Sequence, residues 1–562
     1  MIEQKNAEPN WLQHIERSWL TTLIWGLWLA AVAALLALHA VHLRADFPNF
    51  SPWMDYAKYT DEGWYGKAAI EHAVLGHWYV HGDFNPSVAL PVLPVLEWGV
   101  FRFTGVSLVA ARLIVLAAFA GNLWLVYALV RAETRTWGVA RPISSASAML
   151  AVTVLASSAF LYAFSRLAIL EPLLVLFLLL AWWLGLALRR AESIAAQAVC
   201  AVGMGFALCL MILTKTTAIF LVPSVVWLLW DGRLKDSARR TAMVGVAAAV
   251  PWALYYGLFV KPRYSYDYHY LFAANQWEQP HSVLGWVAAF WYAVHGALWI
   301  SSWLCVLLLV LAVATAVLAR GFWRSRLVQA AWLAVAGYLF FIGWHNNMQP
   351  RYYQVIAFPL AMLAGLAVAA LAASRTWVRA IPPKPTPGLD GAPASFPDLE
   401  RSAVLRRGLV AVAMLTLVTG SACEAWQIAG WARHPQYTFL HAAEGVTAYI
   451  NAHPNGNRLL LSISGDDITL ITHLPAICDD YGTYDLPMRI HAYRPGWYAA
   501  WNEIDPGTLQ DLSTQYSLEQ VASFAAFDDP DRNRLILYKL HPLPPKRQTF
   551  DLAMEREENA GK

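Results

Sequence analysis

Long apolar runs, beginning with Trp19 to Leu43 and recurring to about residue 426, constrain this chain more than any motif. A helical run of about 20 such residues spans a bilayer's hydrocarbon core, where only helices and closed barrels satisfy their own backbone polar groups. The expected fold is therefore an α-helical polytopic membrane protein. Runs at 19–43, 108–130, 143–164, 167–188, 194–213, 216–230, 241–260, 297–319, 327–344, 353–373 and 408–426 make about eleven transmembrane helices. Of 562 residues, 58% are hydrophobic and 14% charged, against roughly 25% charged in soluble domains. The net charge of +3 is scattered between the apolar runs, with no concentrated basic face, so nucleic acid is excluded as a partner. The first run is too long for a signal-peptide core and lacks a small-residue cleavage site, so it is expected to stay as an anchor.

Orientation follows from the connections. Arg131, Arg135, Arg141, Arg189, Arg190, Arg233, Lys235, Arg239, Arg240, Arg320, Arg324, Arg326 and the cations from Arg375 to Arg407 fall in alternate loops. Positive loops stay in the cytoplasm. The other connections, chief among them the long loop at about 44–107, face outward. Two domains result: a transmembrane module over 1–426 and a soluble outward-facing domain over 427–562. The second mixes a helical pattern at Leu440 to Ala452 with strand-like runs at Arg458 to Ile463 and Arg534 to Leu540, the mark of a small α/β fold. Between them, Ile381 to Pro397 is rich in Pro and Gly and is expected to be a linker. No CxxC pair occurs among the five cysteines. Only Cys423 and Cys478 are candidates for a bridge, should both face an oxidising compartment.

Several outward residues are able to do chemistry. The first loop, long enough to hold juxtamembrane helices, carries Asp55 and then Tyr59-Thr60-Asp61-Glu62-Gly63-Trp64-Tyr65. Thr60 or Asp61 capping a helix is the plain alternative to catalysis. Arg166 and Glu171 sit in the Ser165-to-Pro172 turn at a bilayer edge, where charge is costly unless paired or functional. Lys215 follows Thr214, and Arg351 with Tyr352 follows Pro350. Several cations on the face that positive charge avoids suggest a bound phosphate, although a single one would merely snorkel. Tyr266 and His269, in the aromatic stretch Tyr264 to Tyr270, are candidates to touch carbohydrate. His72, His77 and His81 raise the question of a metal, but Gly76 and Gly82 interrupt the helix that the i, i+4 pair would need.

In order along the chain, Asp61-Glu62 before Gly63-Trp64-Tyr65, Gly105-Val106-Ser107 to Ala111-Arg112-Leu113, Ser165 to Pro172, Thr214-Lys215 and Pro350 to Tyr352 resemble the C-type membrane glycosyltransferases. The similarity is closest to the bacterial relatives of protein O-mannosyltransferases and lipid A aminoarabinose transferases, and covers roughly the first 370 residues. It implies a bacterial inner-membrane enzyme, with the N-terminus cytoplasmic and the 427–562 domain periplasmic. It further implies Asp61 as catalytic base, with Glu62 beside it, Glu171 as the second acid, and Arg166, Lys215, Arg351 and Tyr352 around a carrier phosphate. Asp55, Tyr65, Tyr266 and His269 are weaker candidates for the same site. Where the family carries EKPPL-like or HPP-like runs, this chain has Phe84-Asn85-Pro86-Ser87-Val88-Ala89-Leu90-Pro91. No metal set or acceptor transfers across that difference.

The expected reaction moves a hexosyl or pentosyl group from a polyprenyl-phosphate carrier to an acceptor hydroxyl or phosphate, with inversion. Membrane lipids and a lipid, glycan or protein acceptor are the partners. No cofactor is called for, and a divalent cation stays an open alternative. The rival is a transporter or carrier flippase, which would place its charges near the midplane of repeated halves; no repeat is seen here.

Overall fold

The computed structural model describes residues 19–275, 277–373 and 396–544. After the first helix, α1 (Trp19–Ala40), the long loop folds into two short helices, α2 (Asp61–Leu75) and α3 (Val92–Thr104). Then come α4 (Leu108–Thr136), α5 (Arg141–Ala156), α6 (Ala159–Ser165), α7 (Glu171–Arg190) and α8 (Ile194–Thr214). The bundle continues with α9 (Thr216–Leu229), α10 (Leu234–Arg263), α11 (Ser265–Ala274), α12 (Val283–Trp299) and α13 (Ser302–Leu318). It closes with α14 (Arg326–His345), α15 (Pro350–Ala372) and α16 (Phe396–Arg433).

Among the described residues, eight helices are long and apolar enough to cross a membrane, and ten spans result if each of two bent pairs counts as one. The count differs from the eleven expected for a local reason. Lys215 takes an extended conformation after α8 and Thr216–Leu221 winds as a 3-10 turn, so the run at 216–230 yields only a short helix. The run at 297–319 is likewise not one straight span, because α12 meets α13 at 108°. The stretch 381–397 lies almost wholly outside the described residues. Cys423 is exposed, Cys478 is buried, and neither is bridged.

Burial sorts the spans by position. Only 6% of the apolar window of α1 is enclosed, against 94% for α15, so α1 borders the bundle and α15 runs through its centre. The two helix breaks share one partner. Glu424 on α16 accepts from the backbone N–H of Ala159 at 3.0 Å, just past the break between α5 and α6. It also accepts from the Trp303 indole at 2.7 Å, just past the break between α12 and α13. Backbone groups freed inside a membrane must find such partners.

Beyond α16, α17 (Thr438–Ala452) precedes β1 (Leu460–Leu461), α18 (Gly465–Thr472), β2 (Ala476–Ile477) and α19 (Leu486–Tyr493). The chain then forms β3 (Trp497–Trp501), α20 (Pro506–Ser513), β4 (Tyr516–Ala525) and β5 (Arg534–Pro542). The sheet order is β2-β1-β3-β5-β4, with β1 parallel to β2 and β3 and the remaining pairs antiparallel.

This unit sits directly on the first loop. Asp46 caps α17 from across the interface, accepting from the N–H of Phe439 at 2.9 Å and of Leu440 at 3.3 Å. Leu440 and Leu470 share one apolar cluster with Ala69, Ile70 and Phe101. A Cβ on Gly63 would lie 2.2 Å from the carbonyl carbon of Asp466, so only glycine lets α18 approach α2 this closely. Beneath that contact Lys67 is buried, with its ammonium 2.7 Å from Asp83, 3.0 Å from Asp466 and 3.5 Å from Glu71. Burial alone would lower the Lys67 pKa, but Asp466, Asp83 and Glu71 raise it well above the usual lysine value. Burial pushes Glu71 the other way for an acid, up to about 8 despite the pull of Lys67.

Two outcomes are expected. An acid whose folded-state pKa is raised binds its proton more tightly when folded, so its stabilising share is full below its unfolded pKa and falls as pH rises toward about 8. Glu71→Gln, which mimics the neutral form, should leave folding near pH 4 nearly unchanged and flatten the decline in melting temperature between pH 5 and 8. Equal pH slopes for the two proteins would assign that decline elsewhere. For orientation, cysteines placed at Tyr266 and Arg239 of a cysteine-free variant should react with an impermeant reagent in intact cells only at Tyr266. Labelling at Arg239 would reverse the orientation.

Candidate active site

The ends of several spans meet the first loop at one face. Glu171 is the first residue of α7, Lys215 follows the last residue of α8, and Arg351 lies in the opening turn of α15. The first loop supplies the acids. Asp55 caps the short turn Tyr56–Lys58 by accepting from the Ala57 N–H at 2.9 Å, and Asp61 opens α2. Thr60, in the N-cap position of α2, makes no side-chain cap bond; its hydroxyl lies 3.0 Å from Asp61 Oδ1 and donates to it.

Arg351 is the centre of this group. Its guanidinium donates to Asp55, its backbone N–H donates to the other oxygen of the same carboxylate at 2.9 Å, and its Nη2 lies 2.9 Å from Asp61 Oδ2. Glu171 is 3.9 Å from Arg351 Nε and accepts directly from Lys215. The Tyr352 ring lies under both cations, 4.4 Å from the Lys215 ammonium and 5.1 Å from the Arg351 guanidinium carbon. All of these groups are at least nine-tenths buried. Even so, among the described residues Glu171 Oε2 and Arg351 Nε make no hydrogen bond, and Asp61 Oδ2 has only its ion pair with Arg351. Unfulfilled polar capacity concentrated in one buried place is characteristic of a site that binds something.

A cavity of about 250 Å³ opens onto the cluster. Tyr59, Asp61, Trp64 and Tyr65 of the first loop form one wall, Asn275 and Trp277 a second, and Asn347, Arg351 and Tyr352 the base. The remaining wall comes from Ile463, Asp480, Tyr481 and Arg532 of the sheet-bearing unit. Burial raises the Asp61 pKa above the usual aspartate value, against the lowering effect of Arg351, and Asp55 and Glu171 raise it further. The result is a carboxylate of strengthened basicity facing a cavity.

Other expected site residues stand elsewhere. Arg166 donates to Tyr162 and to the carbonyls of Val41 and His42, and stacks on the Tyr162 ring at 4.6 Å. It thus closes the carbonyl end of α1 and has no contact with Lys215 or Arg351 among the described residues, so the expected trio of cations is a pair. Glu62 faces away from the cavity, taking both arms of the buried Arg112 and the N–H of Ala168 at 2.7 Å. Tyr266 is 67% exposed and His269 also faces out, on α11 but outside the cavity wall. Among the described residues no three His, Cys, Asp or Glu side chains are grouped to hold a metal ion. Gly76 ends α2 in the left-handed conformation before His77, and Arg351 occupies the space between Asp55 and Asp61 where a cation would go.

Arg112, Arg532 and Asp480 were not singled out for any role by sequence reasoning. Arg112 had a detectable signal, a lone charge near the start of an apolar run. The other two lie in an ordinary soluble composition where nothing marks them.

No protein-family model matches the sequence, and no curated protein matches it. Solved structures do. ArnT from Cupriavidus metallidurans, bound to undecaprenyl phosphate, aligns with 16% identity and a TM-score of 0.58, covering 92% of this chain and 98% of its own. Its apo state gives the same values. The apo oligosaccharyltransferase of Archaeoglobus fulgidus aligns at 13% identity with a TM-score of 0.47, over 92% of this chain and 76% of its own. The resemblance carried by the motifs therefore extends to architecture, and this multi-pass membrane chain has the fold of ArnT along nearly its whole length.

Proposed function

We propose that this chain transfers a single sugar from a polyprenyl-phosphate carrier to an acceptor hydroxyl or phosphate at the periplasmic face of a bacterial inner membrane. The observation that carries this reading is the buried group of Asp55, Asp61, Glu171, Lys215 and Arg351 at the span ends, open to a cavity beside it. Lipid and water meet there, as a donor with an apolar tail and a polar head requires. ArnT, which shares the fold, was solved with undecaprenyl phosphate. The cavity's volume of about 250 Å³ is below the roughly 300–1,000 Å³ of drug-sized pockets, which suits one sugar better than an oligosaccharide.

The chemistry is a direct displacement. The acceptor oxygen attacks the anomeric carbon as its proton passes to Asp61, and the bond from that carbon to the carrier phosphate oxygen breaks. Lys215 and Arg351 stabilise the charge that collects on the departing phosphate. One displacement on one face inverts the anomeric configuration. Asp55 and Glu171 hold the two cations in place. A transporter would need its charges near the midplane, whereas here Glu171, Lys215 and Arg351 lie at the ends of spans and Asp55 and Asp61 in the first loop.

Asp61→Asn keeps the side chain's shape but cannot take a proton, so turnover should fall by at least about a hundredfold while folding and donor binding persist. Because burial raises the Asp61 pKa, the wild-type rate should climb with pH through a value above the usual aspartate range, and the variant should lose that limb. Single-turnover transfer from a polyprenyl-phosphate sugar reads both effects, and near-normal rates in the variant would return Asp61 to a structural role.

Lys215→Gln and Arg351→Lys should each weaken donor binding by about 1.5 to 3 kcal/mol, the worth of a charged hydrogen bond. Arg166→Gln should instead lower thermal stability and leave donor affinity intact. Titration with a polyprenyl phosphate separates the two classes, and equal losses in all three would place Arg166 at the carrier after all.

A further inference from the structure

The helices that carry the site also have a second end. α7 begins at Glu171 in the carboxylate cluster, and its other end meets the end of α4 and the start of α14 around a cavity of about 420 Å³. With a rise of about 1.5 Å per residue, α7 alone separates the two places by roughly 30 Å, the depth of a bilayer core. The far cavity is lined by Arg189 and Arg190 at the end of α7 and by Arg324 and Arg326 at the start of α14.

Four guanidinium groups line the cavity with one carboxylate, Glu133, which is already committed, while Asp231 acts on Arg189 from outside the lining and is itself paired with Arg240 at 2.7 Å. Glu133 accepts from the Trp137 indole at 3.1 Å and the Ser325 hydroxyl at 2.7 Å, which fixes it to the wall. Arg326 is held by stacking on Trp227 at 4.9 Å and by Gln329 at 3.2 Å. Arg189, Arg190 and Arg324 have no hydrogen-bond or ion-pair partner for their guanidinium groups among the described residues. Topology explains why cations sit in these connections. It does not explain why cations from two distant connections converge on one cavity walled on its apolar side by Leu186 and Trp137.

We propose that this cavity binds the phosphate of an anionic lipid headgroup in the leaflet opposite the transfer site. Planar guanidinium groups match phosphate oxygens in pairs. A basic cavity at the end of membrane helices, with an aromatic and an aliphatic wall, fits a headgroup whose glycerol and chains continue along the bundle. This site is independent of the transfer reaction.

The test uses the full chain in detergent, titrated with phosphatidylglycerol, phosphatidylcholine or inorganic phosphate and read by native mass spectrometry. Arg189→Gln/Arg324→Gln should weaken phosphatidylglycerol binding by about tenfold or more. Arg131→Gln/Arg239→Gln, which removes two cations of the same set of connections from outside the cavity, should leave it unchanged. Phosphatidylcholine, with no net charge, should bind more weakly than phosphatidylglycerol to the wild type, and inorganic phosphate should not displace the lipid. Equal losses in both double variants would reduce the effect to general surface charge and overturn the proposal. Displacement of the lipid by inorganic phosphate would overturn it in favour of a free-anion site. Should the first double variant misfold, the exposed Arg190→Gln alone carries the same expectation and the same refutation.

Discussion

A guanidinium buried at the end of the most enclosed helix is the interaction on which the rest of this molecule depends. Removing Arg351 from water is costly, and the cost is offset only because Asp55 and Asp61 both come to it from the first loop. Because Arg351 opens α15, those two contacts tie an extramembrane loop to the axis of the membrane bundle. Lys215 and Glu171 extend the same charge pattern to the ends of α8 and α7. Removing Arg351 would leave Asp55 and Asp61 buried without an opposite charge, and removing Glu171 would do the same to Lys215, so the group is held together as a unit.

The sheet-bearing unit belongs to the same design. Asp46, Gly63 and Lys67 of the first loop each engage it, through a helix cap, a backbone approach and a buried ion cluster respectively. Asp467 also accepts from the Gly63 N–H, two residues after Asp61. The position of the proposed base is thus set from both sides, by the membrane bundle through Arg351 and by α18 through Gly63. A wall containing Arg532, Asp480 and Tyr481 is the consequence, and the cavity is incomplete without it.

Much of this was legible in the sequence, for identifiable reasons. Apolar periodicity marks spans because lipid allows few alternatives, and the charged turns stand out because charge is conspicuous beside such runs. Lys215, Glu171 and Arg351 were visible in that way, and they do meet. Arg166 was equally visible, yet it closes the end of α1, because a cation at a bilayer edge gives the same signal whether it binds a ligand or a carbonyl. The short α9 and the sharp bend after α12 were hidden, since hydropathy measures how apolar a segment is and not whether it stays straight. The wall residues of the sheet-bearing unit were hidden for another reason: their partners lie about 400 positions away, beyond any local pattern.

Glu424 gives the membrane bundle a direction in time. Its carboxylate receives the Ala159 N–H and the Trp303 indole, two groups that follow breaks in spans made much earlier in synthesis. Every residue of the proposed site in the first 352 positions precedes it on the ribosome. The bundle can therefore gather its charged cluster before its two bends have their final acceptor, and it becomes fully satisfied only when the last span arrives. The final membrane helix acts less as one more wall than as the closing step of assembly.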